Sequence, residues 1–222
     1  MSSKPTVTVS KDGPYLVSGA VPMRMQTITP NSEGESWTWT AGRTFDAEAP
    51  FALCRCGHSA NKPFCDGTHA KVHFKGTEVA DLDAEPTETI DGPDASLDDI
   101  QPLCAFARFC DNEGGIWSIV EEQGATTVAV HEAQSCPSGR LVLRTKPTLE
   151  AMEPEMLPSI GLVEDPEKEC SGPLWLQGGI AVISADGKAY QVRNRTTLCR
   201  CGMSQNKPFC DGSHADGFVD GL

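Results

Sequence analysis

Leu53-Cys54-Arg55-Cys56-Gly57-His58-Ser59-Ala60-Asn61-Lys62-Pro63-Phe64-Cys65-Asp66-Gly67-Thr68-His69-Ala70 returns 145 positions later, at residues 198–215, changed only at Met203, Gln205 and Ser213. Fifteen of the eighteen positions are identical. Core packing preserves volume and hydrophobicity. It does not preserve an Arg between two cysteines or a Lys-Pro-Phe-Cys-Asp-Gly run, so the repeat points to repeated chemistry.

The repeated unit is wider than this motif. Gly13-Pro14-Tyr15-Leu16-Val17-Ser18-Gly19-Ala20-Val21 resembles Gly172-Pro173-Leu174-Trp175-Leu176-Gln177-Gly178-Gly179-Ile180 at an offset of 159, so the first unit holds fourteen extra residues. The polar stretch Pro30 to Ser36 is where they are expected, as a loop. Short β-type runs broken by Gly and Asp-Gly turns, as in Leu174–Ser184, Asp186-Gly187 and Ala189–Arg193, give each unit the pattern of a small sheet. The expected fold is α+β: two small β-rich units, each bearing one copy of the motif and related by an internal pseudo-twofold, with a central α+β segment. Residues 1–90 form the first unit, 91–165 the centre and 166–222 the second unit, with acidic Asp81 to Ser96 as a linker.

In the centre, Asp94 or Ser96 caps an expected helix with Asp98 and Asp99 in its first turn and Leu97, Ile100, Leu103 and Ala107 on one face. Pro102 restricts its length. A second helix is expected over Val128 to Ser135, ending at Cys136-Pro137-Ser138-Gly139, and then a strand over Leu141–Arg144.

Composition excludes several classes. The net charge is −13, from 18 Lys and Arg against 31 Asp and Glu, which repels phosphate backbones and anionic membranes. Nucleic acid and membrane partners are therefore not expected. Met1 to Ser10 lacks the pattern of a signal peptide and no apolar run reaches ~18 residues, so a cytoplasmic location is expected. In a reducing compartment the ten cysteines read as metal ligands rather than disulfides, and six lie inside the repeats.

Each motif spells Cys-x-Cys-x8-Cys-x3-His: Cys54, Cys56, Cys65 and His69, then Cys199, Cys201, Cys210 and His214. The last Cys and His are four apart, which on a helical turn shares one face, and Pro63 and Pro208 suit a helix's first turn. Three thiolates and an imidazole could hold a tetrahedral zinc, yet zinc fingers space paired cysteines as Cys-x2–4-Cys. The tighter pair favours another metal centre.

Here the chain resembles the CDGSH, or mitoNEET-type, iron-sulfur family, whose signature stands as Cys210-Asp211-Gly212-Ser213-His214 and, with a hydroxyl-conserving change, as Cys65-Asp66-Gly67-Thr68-His69. The resemblance implies two 2Fe-2S clusters, one per motif. Cys54 and Cys56 would hold the inner iron of the first and Cys65 and His69 the outer, with the same roles for Cys199 and Cys201 and for Cys210 and His214. A neutral imidazole in place of a thiolate raises the potential. Proton uptake on its free nitrogen couples to electron gain by on the order of 60 mV per pH unit. Full protonation competes with iron and makes the site acid-labile.

Other motif residues divide between roles. Lys62, Lys207, Arg55 and Arg200 are read either as tuning a cluster or as ordinary surface cations, and Asp66 and Asp211 as acceptors for N–H groups of the ligand turn. His58, matched by Met203, is not a ligand, and His73 and His131 carry no motif.

Cys104, Cys110, Cys136 and Cys170 lie outside the repeats. Cys104-Ala105-Phe106-Ala107-Arg108-Phe109-Cys110 with Cys136-Pro137 looks like a divergent single-cluster ferredoxin-type segment. Only two closely spaced cysteines precede the Cys-Pro, and a third cluster would need Cys170. Buried free thiols, or a Cys104–Cys110 pair, is the preferred reading.

The expected function is a soluble carrier of electrons or clusters, not an enzyme. No dinucleotide-type Gly-rich loop or triad is present. Its partners would be redox or cluster-acceptor proteins, and the duplication predicts a monomer that is an internal pseudo-dimer. The alternatives are a zinc-stabilised interaction module and an oxidoreductase with an unidentified substrate.

Overall fold

A computed structural model describes residues 4–222. Two sheets built on one plan carry the repeated motifs. In the first, β1 (Thr6–Val9), β2 (Tyr15–Ser18) and β5 (Phe51–Leu53) form an antiparallel meander. In the second, β9 (Ser159–Asp165), β10 (Cys170–Gln177) and β12 (Arg195–Leu198) do the same. Tyr15 pairs with Leu53 and Leu174 with Leu198, so both sequence offsets reappear as strand register.

Each meander is closed by a parallel strand from the other unit. β11 (Ala181–Ile183) adds to β1, and β3 (Met23–Pro30) adds to β9. Alternation orients these strands: Val7, Val9, Tyr15 and Val17 point inward while Leu16 and Ser18 face out. Together with Ile160, Leu162, Leu174, Leu176, Val182 and Leu198 they form one core common to both units.

The extra residues of the first unit extend a hairpin between β3 and β4 (Ser36–Thr44). The expected loop is its tip, where the Asn31 side chain accepts from the N–H groups of Glu33 and Glu35. The hairpin reaches the central segment: Trp39 stacks between Phe109 and Trp175 and donates to the Ser135 carbonyl.

The centre is a three-stranded sheet, β6 (Glu88–Asp91), β7 (Ala95–Asp99) and β8 (Leu141–Thr145), covered by α2 (Ile116–Val120) and α3 (Thr126–Ser135). A four-residue helical turn, α1 (Thr68–Lys71), belongs to the first motif. The second central helix and the following strand match the sequence reading. The first helix does not: its residues form strand β7 and a short 3-10 turn over Gln101–Leu103. Adjacent strand residues point to opposite faces, which lets Arg140 take both oxygens of Asp99 at 2.6 Å and Arg144 take Asp98 at 2.6 Å. Those ion pairs and the burial of Leu97 settle the strand.

Candidate metal centres

Each motif is a loop leaving the last strand of a meander. Cys54 N–H donates to Pro63 O and Cys65 N–H to Ala52 O. Cys199 to Pro208 and Cys210 to Thr197 repeat the pattern. Ser59 Oγ closes the first loop on Phe64 O and Ser204 Oγ the second on Phe209 O, each at 2.7 Å. Pro63 and Pro208 follow cis peptide bonds within these loops and start no helix, which corrects the sequence reading.

The candidate ligands meet in pairs. Cys54 and Cys56 place their sulfurs 3.8 Å apart, Cys199 and Cys201 3.7 Å. Cys65 Sγ lies 3.3 Å from His69 Nδ1, and Cys210 Sγ 3.3 Å from His214 Nδ1. The Cys and His of the second pair are not on one helix. A left-handed glycine, Gly67 or Gly212, turns the chain, and the His sits on the short helical turn beyond it. Among the described residues, no group of three Cys, His, Asp or Glu side chains is arranged around a single ion.

The donor set suits a metal. Four sulfurs already accept backbone N–H groups: Cys56 from His58, Cys65 from Gly67, Cys201 from Met203 and Cys210 from Gly212, at 3.4–3.5 Å. Burial pushes the Cys210 thiol up and the Cys56 thiol up to about 11. Cys199 is drawn down by the thiol of Cys201 donating to it. A bound cation would relieve the cost of buried thiolates.

Asp66 and Asp211 do what the sequence implied. Asp66 accepts from the N–H groups of Thr68 and Ala60, which hold its carboxyl well below the usual range. Asp211 accepts from Ser213 and Gln205, and these bonds lower it against the opposing effect of burial.

The two arginines are not surface cations, and after burial the charge of Arg200 also disfavours a proton on the candidate ligand His214. Arg55 is 1% exposed and Arg200 2%. Arg55 donates to Gly76 O at 2.5 Å and Ser10 O at 3.3 Å and faces the rings of Tyr15 and Phe74. Arg200 donates to Gly172 O, Val163 O, Glu164 and Asp220. Both staple the chain that surrounds the motif. Lys207 is buried and donates to Ser204 O, while Lys62 is half-buried. His58 is exposed, and His131 stacks on Trp37.

The two near-identical motifs differ in access to water. His69 and Cys65 are half-buried, whereas His214 is 3% exposed and Cys210 is buried. Burial pushes the His214 imidazole down to about 4. The central segment supplies part of the cover, a Cβ built on Gly212 lying 3.1 Å from Phe106 Cβ, and β10 packs on the turn that carries His214.

Three kinds of residue escaped the sequence reading. Gly57 and Gly202 have φ of +80° and +83°, and each approaches the other motif: a Cβ on Gly57 would lie 2.4 Å from Cys201 O, and one on Gly202 2.6 Å from Cys56 O. Tyr15 Oη donates to Cys199 O at 2.9 Å and Pro208 O at 3.0 Å, tying the first unit to the second loop. Ser59 and Ser204 close the loops. Identity within the repeat was the available signal for the glycines and serines.

The repeated sheets each present a loop with the same three cysteines and one histidine, a candidate metal centre. Residues 12–70 and 171–215 match the family described as iron-binding zinc finger, CDGSH type. The matches fall on two tandem regions, each ending in one copy of the repeated motif. No curated protein and no solved structure matched it. Among the described residues, no helix is long and apolar enough to cross a membrane.

Proposed function

We propose that each motif holds a 2Fe-2S cluster and that the chain is a carrier of electrons or clusters rather than an enzyme. The pairing of the ligands carries this reading. Each pair has the bite of two donors on one metal, 3.7–3.8 Å for two sulfurs and 3.3 Å for sulfur and nitrogen. Two such pairs per site supply two irons, whereas one tetrahedral zinc would draw all four donors to one point. Bound clusters would supply one-electron chemistry. The chain's own part is to hold the thiolates, shield them with N–H donors and present an imidazole.

The same exchange of strands β3 and β11 and the reciprocal approach of Gly57 and Gly202 support an internal pseudo-twofold. One chain would then do what two chains do in a symmetric dimer. The half-exposed His69 makes the first site the place of exchange with a redox or cluster-accepting protein, with the shielded second site behind it.

Anaerobic incubation of the dithionite-reduced chain with an oxidised redox protein, and of the oxidised chain with an apo acceptor, tests this. Acceptor reduction in the first case or iron gain in the second that is lost in Cys65→Ser and kept in Cys210→Ser supports the assignment of the first site. Equal loss in both contradicts it.

A further inference from the structure

The two units reverse their charge around the motif. Strand register places Val9 on Tyr15 and Leu162 on Leu174, and the arginine inside each Cys-x-Cys donates to the next carbonyl, Ser10 O in one unit and Val163 O in the other. Lys11 therefore stands where the second unit has Glu164. Past the motif, Lys71 follows His69 by two residues as Asp216 follows His214. Phe74 and Phe218 then coincide, since each N–H donates to the carbonyl of its motif's histidine and each ring faces its motif's arginine. That leaves Lys75 opposite Val219.

The three lysines gather around the half-exposed His69. A Cβ built on Gly13 would lie 3.8 Å from His69 Nε2, so the turn between β1 and β2, which carries Lys11, sits against that ring. Gly76 N–H donates to Asp12 of the same turn at 2.8 Å and brings Lys75 beside it. Lys71 lies on α1 with His69 itself. All three lysines are exposed, and among the described residues the ion-paired lysines are Lys146 and Lys188, far from this face in sequence. Two carboxylates share the face, Asp12 held by Gly76 N–H and Asp66 held by the N–H groups of Thr68 and Ala60. Val72, 43% exposed between Lys71 and His73, gives it an apolar centre. Around the second motif the corresponding groups are acidic: Asp216 is exposed, and Glu164 and Asp220 bind Arg200.

We propose that Lys11, Lys71 and Lys75 form the docking face on which an acidic electron-transfer protein meets the first site, a role that rests on the carrier reading of that site. One electron passes from the partner's reduced centre to the first site, and the partner is left oxidised. An apolar centre with a charged rim is the usual build of a protein interface. Complementary charge orients an encounter and raises its rate more than it tightens the complex. The chain's net charge of −13 repels the same partner elsewhere, and at physiological ionic strength charges more than about 8 Å apart are largely screened. At contact, therefore, the local lysines decide the orientation, and they lead to His69 rather than to the buried His214. The carboxylates around the second motif reject the same partner, which is how like charges set specificity. An extended polyanion, a nucleic acid duplex or an anionic bilayer, would also press against the acidic remainder of the chain, so the face suits a compact protein.

The probe is a reduced, acidic plant-type 2Fe-2S ferredoxin, mixed anaerobically with the oxidised, metal-loaded chain and followed by stopped-flow absorbance. Its all-cysteine centre has a low potential, so the electron runs toward the imidazole-bearing site. Lys71→Glu and Lys168→Glu change the net charge equally, and Lys168 is an exposed lysine of the second unit. The second-order rate constant should fall about 3–10-fold in Lys71→Glu and further in K11E/K71E, while Lys168→Glu stays within about twofold of the wild-type chain. Iron content, visible spectrum and the rate of reduction by the small, uncharged lumiflavin radical should not change in any variant. If Lys71→Glu loses iron, Lys11→Glu decides alone. Equal slowing by Lys71→Glu and Lys168→Glu, or slowing by neither, overturns the docking face and leaves the carrier reading standing. Capture of the chain by anionic lipid vesicles with no binding of the oxidised ferredoxin overturns it too. A chain without a reducible centre that still binds the oxidised ferredoxin, and loses that binding in K11E/K71E, would sink the carrier reading and keep the face. Neither a reducible centre nor binding would overturn both.

Discussion

Replacing Arg200 by Met should cost far more stability than the same change at Arg55, although the two occupy equivalent positions in the repeat. Arg200 bonds Asp220 with the two side chains 2% and 0% exposed. Removing one partner of such a pair strands the other charge and costs about 3–5 kcal/mol. The carbonyls of Gly172 and Val163 lose their donor as well, which places Arg200→Met toward the upper end. Glu164, whose side chain is 16% exposed, keeps access to water and adds little. Arg55 bonds only carbonyls and faces aromatic rings, so Arg55→Met strands no carboxylate and should cost about 1–3 kcal/mol. For a chain of this size about 3–5 kcal/mol lowers Tm by roughly 6–20 °C. Thermal melting of the metal-loaded chain followed by circular dichroism measures it, and Asp220→Leu in the Arg200→Met background should recover most of the loss. An Arg200→Met no worse than Arg55→Met, or no recovery by Asp220→Leu, would refute the reasoning.

Lowering the pH should bleach the chain in two phases, the first from the site of the half-exposed His69 and the second, at lower pH, from the shielded His214. Protonation of a neutral imidazole releases the metal, so the less accessible ring holds to a lower pH, and His69→Cys should remove the first phase in a visible-absorbance titration. Gly57→Ala should damage both sites, since its Cβ would lie 2.4 Å from Cys201 O at a φ of +80°. Overpacking and strain together cost about 2–4 kcal/mol, and iron per chain and Tm should both fall. Trp39→Ala should loosen the central segment, because the ring stacks on Phe109 and Trp175 and bonds Ser135 O. Limited proteolysis should then cut between residues 100 and 140 first, with the first motif's metal retained.

Much of the site was legible in the sequence because ligand spacing and strand register are local. Cys54 to His69 and its copy meet within one loop, and the offsets of 145 and 159 are the register of Leu53 on Tyr15 and of Leu198 on Leu174. Long-range exchange was not legible: nothing in Thr6–Val9 or Met23–Pro30 says that its parallel neighbour lies more than a hundred residues away. Asp98 and Asp99 look like a helix's acidic first turn until Arg140 and Arg144, across the sheet, claim them. The unequal exposure of the two equivalent histidines has a tertiary cause, in which the loop at Phe106 beside Gly212 takes part. The meeting of Cys136 with Cys104 and Cys110 likewise depends on where α3 ends against that loop.

Metal and sulfide analysis of the chain beside Cys65→Ser and Cys210→Ser tests the central claim most directly. Two irons and two sulfides per motif predict that each variant loses about two of each, with a reducible visible chromophore at the remaining site. One zinc per motif, no sulfide and no visible absorbance would contradict it.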